Sequence, residues 1–172
     1  MRYDDTKPKI IRRVMFALII IITVLLQNNA FKILLSFKAS ALPVLPLVIC
    51  ISMFERETVA ALFGVLAGVI ADISSGVDGF NAFVLVVICA CASLLISHFM
   101  RNNIVTAIVL SAAGTFIYQL IYIIVFILAS GGGVSINAFV FYYLPSFAVT
   151  LLFIPVFYFL IKIIFEHFKT EA

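Results

Sequence analysis

The chain has 172 residues, of which 65% are hydrophobic and 11% charged, and a formal net charge of +3. An ordinary soluble domain carries roughly 45–50% apolar and about 25% charged residues. A soluble fold of this size could not hide so much apolar side chain, so lipid must be the solvent for much of its surface.

A membrane span needs roughly 20 residues, so the length allows six or seven spans with short loops and leaves no soluble domain. Arg2, Lys7, Lys9, Arg12 and Arg13 crowd the start, ahead of the apolar run Val14–Leu26. Beside a span, such a cluster orients the helix by the positive-inside rule and does not point to nucleic acid. The pattern also resembles a signal peptide, but Gln27-Asn28-Asn29-Ala30-Phe31 leads back to Lys32 with no small-residue cleavage site. An uncleaved first helix over about 12–28 is expected.

The second span, about 41–54, is short and holds Pro43 and Pro46. Either the prolines sit in its first turn, where a missing N–H costs little, or the segment does not cross cleanly. Glu55-Arg56-Glu57 reads as a solvated boundary before the third span, about 58–73. The turn-rich Ser74–Gly79 follows, with Asp78 a candidate N-cap. The fourth span, about 80–99, ends near His98 and Arg101, where snorkelling and the helix dipole account for the charges. The fifth, about 104–128, carries Ser111, Thr115 and Gln119 four apart, a stripe expected to hydrogen-bond between helices. The sixth, about 137–165, holds Pro145 and Pro155, which predict kinks or an interruption near Pro145.

With the N-terminus inside, six spans put nine Lys and Arg residues on the cytoplasmic side and only Lys32 and Lys38 outside. Dropping the second span would move Arg56, Arg101, Lys162 and Lys169 outside, a far poorer fit. The expectation is one all-α transmembrane domain over 1–172 in the cell membrane, with both termini cytoplasmic.

Ala60, Gly64, Gly68 and Asp72 recur every fourth residue and form one stripe on the third helix. Gly64 and Gly68 make a GxxxG pair, which lets two backbones approach closely. The stripe either packs on another helix of the chain or receives a partner's helix. Asp72 near a helix C-terminus needs an offset for burial and for the dipole. An N–H at the start of the fourth helix could supply it, and so could a group from a partner. Cys50, Cys89 and Cys91 lie in apolar runs and read as small packing residues. With His98 and His167 the only histidines, no nucleophile, zinc or paired-carboxylate arrangement emerges. No enzyme activity, metal or cofactor is expected.

The segment Gly64-Val65-Leu66-Ala67-Gly68-Val69-Ile70-Ala71-Asp72, followed by Gly76 and Gly79-Phe80-Asn81-Ala82, resembles the G-x-x-x-G-[LV]-x-x-D motif and glycine turn of the rod shape-determining MreD family. Length, six-span layout, basic N-terminal end and a proline in the last helix (Pro155) agree with it. The resemblance implies a non-enzymatic subunit of the cell-elongation machinery. That family works with the single-span MreC, the actin-like MreB, and a glycosyltransferase–transpeptidase pair building lateral peptidoglycan. It also implies a fold similar to the S-components of energy-coupling-factor vitamin transporters. Carried over, the motif makes Gly64, Gly68, Asp72, Gly76 and Gly79 the partner-docking residues. Basic N-terminal residues would meet anionic membrane lipid or MreB. The rival reading is a vitamin-transporter S-component, with Asp72, Asn81, Gln119 and Tyr143 lining a substrate site.

Overall fold

A computed structural model describes residues 6–34, 42–75, 79–99, 102–128 and 144–168. It contains six α-helices: α1 Thr6–Leu34, α2 Val44–Ser52, α3 Glu57–Ser75, α4 Phe80–His98, α5 Ile104–Tyr122 and α6 Leu144–His167. A π-helical turn, Ile123–Leu128, continues α5. Five of the helices are long and apolar enough to cross a membrane. The chain is a multi-pass helical membrane protein.

The exception is α2. Its nine residues rise only about 14 Å, against a hydrocarbon core of about 30 Å. Pro43 is its N-cap and Pro46 lies in its first turn, where the absent N–H has no intrahelical partner to lose. Every residue from Val44 to Ser52 is buried, because α2 touches each of the other five helices. A segment with no charge and apolar side chains on all sides suits only that central position.

The short helix nevertheless carries the chain back toward its starting end. The Val44 N–H donates to Gln27 Oε1 of α1 at 3.3 Å, and Glu55 pairs with Arg12 of α1. Gln27 and Arg12 are about 22 Å apart along α1, so α2 and its flanks retrace most of that distance. The turns follow suit. Asn102 Nδ2 donates to the Met53 carbonyl at 3.0 Å, and the Phe54 and Phe165 rings lie 5.1 Å apart. The start of α1, the α2–α3 turn, the α4–α5 turn and the end of α6 therefore share one end of the bundle. Arg12, Arg13, Arg56 and Lys162 gather there.

On α1 the buried stripe is Arg12, Phe16, Ile20 and Val24, four apart, and the opposite face is apolar and exposed. Helix α6 begins at Leu144, so Pro145 falls in its first turn, while Pro155 lies inside it. Residues 137–143 lie outside the described residues.

Candidate functional site

Among the described helices, the glycine stripe builds the most intimate contact, the α3–α4 hairpin. Ala60, Gly64, Gly68 and Asp72 are all buried, and α4 is what buries the two glycines. A Cβ on Gly68 would sit 2.2 Å from Ala82 Cα, and one on Gly64 would sit 2.9 Å from the Leu85 carbonyl oxygen. Both neighbours are backbone atoms, so only glycine lets α4 approach this closely.

One turn beyond Gly68, the same closeness delivers Asp72 to the start of α4. The N–H of Asn81 donates to Asp72 Oδ1 at 3.0 Å, and that of Ala82 to Oδ2 at 2.9 Å. These are donors of the first turn, which no intrahelical carbonyl can reach. The local N-cap cannot serve them. It is Gly79, with φ 73° and no side chain. Asp72 thus caps α4 from the preceding helix, and the charge it places at α4's positive end offsets its unfavourable place at the C-terminal end of α3. Of the two offsets open to Asp72, the internal one is in place. Asp78, the expected N-cap, and Gly76 lie outside the described residues. Gly79 has nothing within 4 Å of a would-be Cβ, so its requirement is the left-handed turn, not space.

A short polar cluster extends from this cap. The Tyr118 hydroxyl of α5 donates to Asn81 Oδ1, and Asn81 Nδ2 reaches Ser75 Oγ at 3.5 Å. The Phe80 ring lies 6.1 Å from Tyr118 and 5.9 Å from Tyr122. Tyr118 therefore makes the interhelical bond that the Ser111–Thr115–Gln119 stripe was expected to make. Those three are buried too, but Thr115 Oγ1 donates to the Ser111 carbonyl of its own helix at 2.7 Å. Gly114, unremarked in the sequence, faces Ile49 of α2, whose Cδ1 would lie 2.5 Å from its Cβ.

At the opposite end lies a site that the sequence reading missed. Glu55 is not a solvated boundary residue: its side chain is 3% exposed and that of Arg12 is 11% exposed. Arg12 donates to Glu55 Oε1 through Nε, at 2.9 Å, and through Nη2. Arg13 Nε lies 3.6 Å from Oε2. The Arg12 guanidinium also sits 4.6 Å from the centroid of the Phe165 ring of α6, a cation–π contact. Ser93 Oγ of α4 donates to the Glu55 carbonyl at 2.9 Å. This cluster ties α1, α4, α6 and the α2–α3 turn together. The available signal was Arg12 itself, which extends the apolar stripe Phe16-Ile20-Val24 by one turn and so had to be buried.

Of the vitamin-site candidates, Asp72 and Asn81 meet in the cap, whereas Gln119 makes no side-chain hydrogen bond to another described residue and Tyr143 lies outside them. Of the cysteines, Cys50 and Cys89 are buried and Cys91 is exposed. No protein-family model, no curated protein and no solved structure matches the chain.

Proposed function

We propose that the protein is a non-enzymatic membrane subunit of the cell-elongation machinery, of the rod shape-determining MreD kind. In this reading it docks the single membrane span of MreC and links it to MreB and to the glycosyltransferase–transpeptidase pair. The observation that carries the proposal is the Gly64-x-x-x-Gly68-x-x-x-Asp72 segment with its glycine turn. It resembles the family's motif, and in this chain it has a physical task, locking a helical hairpin and capping its second helix. The buried polar groups support a binding subunit over a catalyst, because Asp72, Asn81 and Tyr118 are engaged with α4's N–H groups and with one another.

Because α4 covers the glycine face, Gly64, Gly68, Asp72 and Gly79 serve a partner through the hairpin they hold. MreC's span would be received by the hairpin's outer ridge, where Leu62, Val65, Val69 and Ile73 are exposed on the face of α3 away from α4. The basic end of the bundle faces the cytoplasm in this reading, which puts both termini there.

The test is affinity purification from gently solubilised membranes, with mass spectrometry of the co-purifying proteins. Recovery of MreC, reduced by Val65→Ser and Val69→Ser together while insertion is normal, is the expected result. Recovery of an ATPase pair with its coupling subunit would instead identify the S-component of a vitamin transporter and refute the elongation role.

A further inference from the structure

We draw no further inference here: the strongest candidate, the buried side-chain amide of Gln119 on α5, belongs to the vitamin-site reading already described, and nothing in the structure shows what it would hold.

Discussion

Replacing Gly68 with alanine tests the hairpin most directly. The new Cβ would stand 2.2 Å from Ala82 Cα, 2.6 Å from Ala82 N and 2.8 Å from Asn81 C. All three are backbone, so no side chain can swing aside. To restore the 3.4 Å at which ordinary contact begins, α4 must retreat by about 1.2 Å. The retreat acts on the two N–H groups that Asp72 accepts, now at 3.0 and 2.9 Å, and stretches both to about 4 Å, beyond a hydrogen bond. Overpacking of a well-packed contact costs about 1–3 kcal/mol, and a hydrogen bond to a charged group contributes about 1.5–3 kcal/mol net. With water at the membrane surface recovering part of the latter, the expected loss is about 4 kcal/mol. Gly64→Ala needs a shift of only about 0.5 Å and should cost about 1–2 kcal/mol. Titration with a denaturing detergent, read by the reactivity of Cys50 and Cys89 in a Cys91→Ser background, measures both. The decisive arm repeats Gly68→Ala on top of Asp72→Ala. There the cap is already gone, so only the overpacking cost should remain. A loss below about 1 kcal/mol in the first case, or an equal loss in both backgrounds, refutes the coupling of close approach to capping.

The other expectations concern the remaining polar contacts and the thiols. Glu55→Gln should destabilise the bundle by about 3 kcal/mol in the same titration, because it leaves the Arg12 guanidinium buried beside a neutral amide. Adding Arg12→Gln should cost less than the sum of the two single losses, whereas strict additivity would show that the pair does not interact. Tyr118→Phe removes one interhelical hydrogen bond and should cost about 1 kcal/mol; a neutral result would mean that Asn81 Oδ1 finds another donor. In native membranes a lipid-soluble thiol reagent should modify Cys91 well before Cys50 or Cys89, and mass spectrometry of the labelled peptides checks the order.

Much of this was legible beforehand, for reasons that can be named. The five long helices show themselves because an apolar window of spanning length has few alternatives. The Ala60–Asp72 stripe is legible because four-residue spacing fixes a face, although spacing alone does not say which helix covers it. Glu55 was misread because Glu-Arg-Glu at a helix start looks like a surface. Its partner lies 43 positions away, and nothing local encodes that meeting. Tyr118 was passed over for Gln119, its neighbour, since an amide in lipid attracts attention and a tyrosine there does not. The role of α2 was hidden for a different reason. Hydropathy registers how apolar a segment is but not whether lipid or protein surrounds it, and Val44–Ser52 is surrounded by protein.

That enclosure has a consequence for how the molecule is made. A nine-residue helix cannot settle across a bilayer on hydropathy alone, and the walls that enclose α2 are mostly contributed by helices that follow it in the chain. While the ribosome has delivered only α1 and α2, the second helix has one neighbour of its eventual five. It must therefore wait, at the bilayer surface or beside the insertion machinery, until α3 to α6 arrive. Helix α6 is thus needed to house α2, and a chain cut short before α6 would leave its own centre without a wall.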